Sequence, residues 1–274
     1  MKQFSATIPI GIGDMIYTKA FFEPIKHEYS HININFHRGI INDIGKNPNY
    51  NQFIDEFSNL LFGEMPYCLK QGSYPFYGIE QLATRHGLQP HKPELSHILC
   101  KGTPLNLDVP YIVINTKIRS LPRQYLHDRI PEFWSLLNKI VTKYKLVILG
   151  EKIIEMNGEY QYYTSENIFS LYQHILNNIP LDLIVDLTVP ALGITSPTVA
   201  QVQQDCLIMN QAKFVITFGI GGGFCMSTAV ANTIGFRGDD DLVADTVFSI
   251  EYPNAYITKD WDAFMNKLRI LGEV

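Results

Sequence analysis

Three runs of the chain, Tyr111–Asn115, Lys145–Leu149 and Phe214–Phe218, are apolar at almost every position. A strand with one face in water alternates apolar and polar residues. Parallel strands joined by crossover helices are covered on both faces and lose that alternation. Further apolar runs at Thr7–Ile12, His31–Phe36 and Leu183–Asp186 extend the set of candidate strands. Between them, longer amphipathic stretches read as helices over Met15–His27, Pro131–Tyr144, Ser196–Asn210 and Gly223–Thr233, with a last one over Asp260–Leu271. Pro131 suits the first turn of its helix, Asp260 an N-cap, and Gly272 the position just past an end. Alternating strands and helices predict an α/β protein.

The segment Lys101–Pro110 holds two prolines, a glycine and no helical period, and a fresh strand starts directly after it. A linker there divides the chain into a short first domain, 1–107, and a second, 108–274. With 274 residues, 46% of them hydrophobic, two cores are feasible and wholesale disorder is excluded. Residues 63–97, rich in Gly, Pro, Tyr and His, fit no single element. The net charge of −5 argues against a protein that coats nucleic acid, while leaving room for a local basic pocket. Cys68, Cys100, Cys206 and Cys225 are isolated, which suggests neither a zinc site nor a disulfide framework. No apolar run is long enough to span a membrane and no secretory pattern opens the chain, so a cytoplasmic protein is expected.

Chemistry is concentrated where strands meet helices. Gly11-Ile12-Gly13-Asp14 sits between the first strand and the first helix. The glycines let a ligand approach the backbone, and Asp14 either caps the helix or aims a carboxylate above the strand ends. It is no dinucleotide fingerprint, because the third glycine is missing. The strand ending in Asn115-Thr116 runs into Lys117, Arg119 and Arg123, either a solvated basic loop or a set of cations suited to a diphosphate. Phe214–Phe218 leads into Gly219, Gly221, Gly222 and Gly223 and then a helix with Phe224 and Ser227. Free N–H groups at that helix start can cradle phosphate oxygens; a plain tight turn is the alternative. It lacks the Gly-Lys-Ser/Thr ending of a P-loop. Gly150-Glu151 follows another strand, where a carboxylate can reach a ribose or base or simply face water.

Other features carry less. Asp239-Asp240-Asp241 has a spacing that can hold a divalent cation but reads as an exposed acidic loop. His37-Arg38 lies just beyond the second strand and can face a cleft, while His86 and His91 have no metal-ligand spacing. No Gly-x-Ser-x-Gly nucleophile elbow is present.

In their order, Gly-x-Gly-Asp opening the first helix, a linker, a strand ending near Lys and Arg, a strand ending in Gly-Glu and a glycine-rich helix start resemble GT-B glycosyltransferases. The nearest likeness is to the ADP-heptose:lipopolysaccharide heptosyltransferase family. It implies two Rossmann-like domains facing a cleft, the N-terminal one short. Asp14 then maps onto the catalytic base, with Gly11, Gly13, His37 and Arg38 on the acceptor side. Lys117, Arg119, Arg123, Gly150, Glu151, Gly219, Gly221, Gly222, Gly223, Phe224 and Ser227 fall on the donor side. The implied partners are a nucleotide-sugar donor and a glycan or glycoconjugate acceptor, with inversion, no metal and no cofactor. The sequence departs from the family's late Asp-Thr/Ser-Gly followed by His: Phe218-Gly219-Ile220-Gly221 lacks the Asp and Cys225-Met226 replaces the His. A nucleotide-sugar epimerase and a non-catalytic nucleotide- or glycan-binding module fit the same architecture.

Overall fold

A computed structural model of the chain describes residues 2–9, 11–37, 48–78, 81–82, 95–116, 123–150, 171–189, 198–218, 222–236 and 255–274. Strands β1 (Lys2–Pro9), β2 (Tyr29–His37) and β3 (Tyr67–Leu69) form a parallel three-stranded sheet in the order β1-β2-β3. Strands β4 (Tyr111–Asn115), β5 (Lys145–Leu149), β6 (Ile184–Asp186), β7 (Val215–Phe218), β8 (Thr233–Phe236) and β9 (Ala255–Thr258) form a parallel sheet in the order β6-β5-β4-β7-β8-β9. Counted within the second sheet this is 3-2-1-4-5-6, the doubly wound Rossmann order, which reverses between β4 and β7. The helices are α1 (Ile12–Phe22), α2 (Pro48–Phe62), α3 (Ser96–Leu99), α4 (Arg123–Ile140), α5 (Leu171–Asn178), α6 (Val199–Gln211), α7 (Gly222–Val230) and α8 (Trp261–Gly272).

The parity of side chains along the second sheet explains its apolar runs. Val113, Val147, Leu149 and Val215 point into one buried cluster, and Ile112, Ile114, Leu146, Ile148, Ile216 and Phe218 into another on the opposite face. Each residue of β4 is therefore buried, whichever way it points. The first cluster is shared between the two sheets. It joins Ala6, Ile34 and Phe57 from the first half to Cys206, Phe224 and Ala229 from the second. Hydrogen bonds reinforce the contact: Gln203 Nε2 donates to Ile98 O at 3.0 Å, and Leu95 N to Ala229 O at 3.3 Å. The 101–110 segment between the halves has neither helix nor strand and is mostly exposed.

Several boundaries differ from the expectations, each for a local reason. β1 stops at Pro9 and α1 begins at Ile12, because Gly11 in extended conformation is its N-cap. Asp14 is thus not the cap; it stands in the first turn. α1 gives way at Glu23 to a 3-10 turn over Glu23–Glu28, where Pro24 has no N–H to continue the helical ladder. Pro131 lies inside α4 and not at its start, which places Arg123 on the helix and not on a loop. Asp260 does cap α8, its side chain accepting from Asp262 N and Ala263 N. Gly272 belongs to that helix and Glu273, at φ 57°, forms the left-handed end. A Cβ at Gly272 would stand 2.6 Å from Ile140 Cγ1, so close approach to α4 explains this glycine. The helix expected to reach Thr233 ends at Val230, and β8 starts at Thr233.

Candidate functional site

The strand order reverses between β4 and β7, and the carboxyl ends of strands at such a reversal are where doubly wound sheets bind ligands. β4 ends there in Asn115, 3% exposed and followed by Thr116, whose N–H and Oγ1 both donate to Leu149 O at 2.8 and 3.0 Å. Thr116 therefore locks β4 to β5, and Asn115 is left as the polar side chain at the reversal. Beyond β7, α7 starts directly over Asn115. A Cβ at Gly223 would stand 2.6 Å from Asn115 Nδ2, so only glycine lets the helix start settle on that amide.

A second helix start meets the first. A Cβ at Gly13 would stand 2.7 Å from Cys225 Sγ, so the first turn of α1 rests on the first turn of α7. Asp14 belongs to this junction. Its Oδ2 lies against Gly11, where any Cβ would collide with it. Burial pushes the Cys225 thiol well up, and the nearby Asp14 charge pushes it further. Two helix N-termini, whose first N–H groups have no acceptor within their own helix and which carry the positive end of a dipole, thus converge beside a carboxylate. Such a pair can hold an anionic group against the helix starts, while Asp14 offers a base at its edge.

The other sequence-derived candidates divide as follows. Gly150 directly follows β5 at φ 101°, a left-handed turn suited to glycine, and its carbonyl accepts from Val189 N at 2.9 Å. His37 ends β2 opposite Pro9, exposed, at the carboxyl edge of the first sheet. Ser227 is fully buried and donates to Phe224 O at 2.8 Å within its own helix, so its hydroxyl does not face a ligand. Phe224 is likewise a core residue, 2% exposed. Gly222 is the first residue of α7. Lys117, Arg119, Glu151, Gly219, Gly221 and Arg38, the Arg123 side chain, Asp239–Asp241, His86 and His91 lie outside the described residues. Among the described residues no cluster of three or more His, Cys, Asp or Glu is placed to hold a metal ion. Among them, too, no helix is long and apolar enough to cross a membrane.

No protein-family model and no curated protein sequence matches the chain. Its fold does match solved structures. Escherichia coli ADP-heptose LPS heptosyltransferase II superposes with a TM-score of 0.50 at 14% identity, over 100% of this chain and 99% of that one. TibC, a dodecameric iron-containing heptosyltransferase of enterotoxigenic E. coli solved with ADP-D-β-D-heptose, superposes with a TM-score of 0.50 at 13% identity. That match covers 94% of this chain and 64% of TibC, so the chain spans less than two thirds of TibC's length. The chain shares the heptosyltransferase fold. The resemblance carried by the short glycine and aspartate motifs therefore extends to the backbone.

Asn115 and Cys225 are residues at this junction to which the sequence assigned no site role. Asn115 had a legible signal: a polar residue closing an otherwise apolar strand at the carboxyl edge. Cys225 stood out only as part of the pair in place of the family's late His, and its contact with Gly13 depends on α1 and α7 meeting across most of the chain.

Proposed function

We propose that the chain is a glycosyltransferase that moves a sugar from a nucleotide-diphosphate donor to a hydroxyl of a glycan or glycoconjugate acceptor, with inversion and without a metal. The observation that carries this reading is the meeting of α1 and α7: an Asp-bearing helix start on a glycine-rich one, at the strand reversal. The heptosyltransferase fold supports it. In this reading the domains are 1–107 and 108–274, Rossmann-like units of GT-B type facing a cleft, the first short. The protein works in the cytoplasm on a glycan or glycoconjugate and not on nucleic acid.

The donor diphosphate lies against Gly219 and Gly221–Gly223, with Lys117, Arg119 and Arg123 as its cations. The nucleoside packs at Gly150 and Glu151. The acceptor enters from the side of Gly11, Gly13, His37 and Arg38. Asp14 takes the acceptor hydroxyl proton as that oxygen attacks the anomeric carbon, and the bond from that carbon to the diphosphate oxygen breaks. The leaving diphosphate keeps the electron pair, and fixed N–H donors and cations stabilise its developing charge. Direct displacement with one base inverts the anomeric centre.

The test is a thermal-shift screen of UDP, GDP, ADP and CMP sugar series with and without EDTA, followed by product analysis on glycan acceptors. A ligand at a hundredfold excess over its Kd adds about 2.7 kcal/mol of apparent stability. One series standing out, indifferent to EDTA, supports the reading and names the base. No shift with any nucleotide overturns it.

A further inference from the structure

The first half of the chain contains a strand reversal of its own. After β3 the chain crosses back through residues 70–75 and sets Phe76 beside Thr7, on the edge of β1 that β2 leaves open. This strap is held at several points. Thr7 N donates to Pro75 O at 2.8 Å and Tyr77 N to Thr7 O at 2.9 Å. Thr7 Oγ1 donates to Tyr74 O at 3.1 Å and Asn35 Nδ2 to Gly72 O at 2.8 Å. The order therefore runs β3-β2-β1 and then Phe76, the same reversal that β4 and β7 make in the second sheet. A ligand crevice is expected at the carboxyl side of such a reversal.

Phe76 is clamped through its neighbours' backbone on both sides and is still 45% exposed. Its ring meets the His37 ring edge-on, with centroids 5.4 Å apart and planes at 71°. His37 stands opposite Pro9, at the end of β1 from which the chain turns to Gly11 and Asp14. Among the described residues the imidazole of His37 makes no hydrogen bond. A rigid, exposed aromatic face next to an imidazole with free hydrogen-bonding capacity suits one chemistry well. A pyranose ring presents C–H groups on its face and hydroxyls on its rim, so the phenyl face can cover the first and the imidazole bond the second.

We infer that Phe76 is the stacking surface for one pyranose ring of the acceptor, with His37 beside it bonding a ring hydroxyl. The inference deepens the glycosyltransferase reading and rests on it for assigning the acceptor to the first half. Phe76 is a positioning residue; it touches no group that reacts.

The experiment compares wild type, Phe76→Ala and Phe76→Tyr in two separate assays on the full chain. One measures binding to an immobilised panel of oligosaccharides of neutral hexoses and N-acetylhexosamines, without nucleotide. The other measures thermal shift with UDP, GDP and ADP. Wild type is expected to bind at least one glycan, Phe76→Ala to bind it about tenfold more weakly or worse, and Phe76→Tyr to stay within about threefold of wild type. Nucleotide shifts are expected to be equal in all three, which also shows that the variants are folded. Full glycan affinity in Phe76→Ala overturns the inference, as does a wild type that binds no glycan on the panel. A Phe76→Ala variant that loses nucleotide binding instead also overturns it, in favour of stacking on a base. Absence of any nucleotide shift in wild type, with glycan binding intact and dependent on Phe76, overturns the glycosyltransferase reading and leaves the stacking surface standing.

Discussion

The hydroxyl of Tyr17 lies 3.4 Å from that of Thr228, a buried contact between residues 211 positions apart. One belongs to α1 and the other to α7. One turn nearer the helix starts, Gly13 faces Cys225 in the same way. The relative position of Asp14 and the start of α7 is thus set by direct packing between these two helices.

That packing can be tested by repairing a clash. In Gly13→Ala the new methyl meets Cys225 Sγ at 2.7 Å, while Cys225 Cβ stays at an ordinary 3.5 Å. Overpacking of this kind costs about 1–3 kcal/mol. Gly13→Ala is expected to lower the melting temperature, and Gly13→Ala combined with Cys225→Ala to recover most of the loss. Additive losses in the double variant would show that the helices do not meet there.

Asp14 and Asn115 should separate kinetically. Removal of a general base typically costs between about 100-fold and 10,000-fold in rate. Asp14→Asn is expected to lose kcat on that scale while nucleotide affinity holds. Asn115→Ala is expected to weaken nucleotide binding by about tenfold, since its amide lies under the start of α7. Calorimetric titration of both variants with the nucleotide identified in the screen checks the pair.

A charged cluster away from the site controls the acid limb of stability. Lys19, 3% exposed, pairs with Glu23 at 3.0 Å and sits 3.9 Å above the Tyr67 ring; Glu23 also accepts from the Tyr67 hydroxyl at 3.0 Å and from Lys26 Nζ at 2.6 Å. Burial pushes the Glu23 carboxyl up, but the bonds from Lys26, Lys19 and Tyr67 outweigh it and hold the group below the usual carboxylate range. A depressed carboxylate contributes stability above its unfolded value of about 4.3, and this is lost as pH falls through the folded value. Burial lowers the Lys19 ammonium, so between its folded value and about 10.4 the unfolded chain holds more protons and stability rises with pH. Glu23→Gln is expected to cost about 3 kcal/mol at neutral pH and to flatten the acid limb, because it strands a buried lysine. Lys19→Met keeps an apolar stem on Tyr67 and should cost much less. Urea melts between pH 3 and pH 8 measure both.

The thiols give a check on the shared core. Cys206 and Cys225 are buried, and burial pushes Cys100 up to about 11. A native chain at pH 8 is expected to release at most one equivalent quickly from Ellman's reagent, and all four after denaturation. Rapid reaction of Cys225 in the native state would mean that α1 and α7 part readily.

The centre of the second sheet was legible because its signal is local and strong. Tyr111–Asn115 and Lys145–Leu149 need only their own composition to declare doubly covered strands, and their observed limits match the expected ones. β3, β8 and β9 were not legible: Tyr67–Leu69, Thr233–Phe236 and Ala255–Thr258 are three- or four-residue strands whose pairing depends on partners placed earlier. The same limit applies to the site. The glycines at 11, 13 and 223 announce close approach to something, but only the fold identifies Asp14, Cys225 and Asn115 as their neighbours. Ser227 misleads for the converse reason, since a hydroxyl one turn into a helix reads as a donor whether it faces outward or back onto its own carbonyls.

The buried cluster shared by both sheets also sets a schedule for synthesis. When α2 leaves the ribosome, the parts of α1 and α2 that later pack on α6 and α7 are still uncovered, because those two helices are yet to be made. At ordinary elongation rates the interval from Phe62 to Val230 lasts roughly 10 s. For that time the side of α1 that α7 later covers stays open to solvent, and Asp14 waits without its opposite helix.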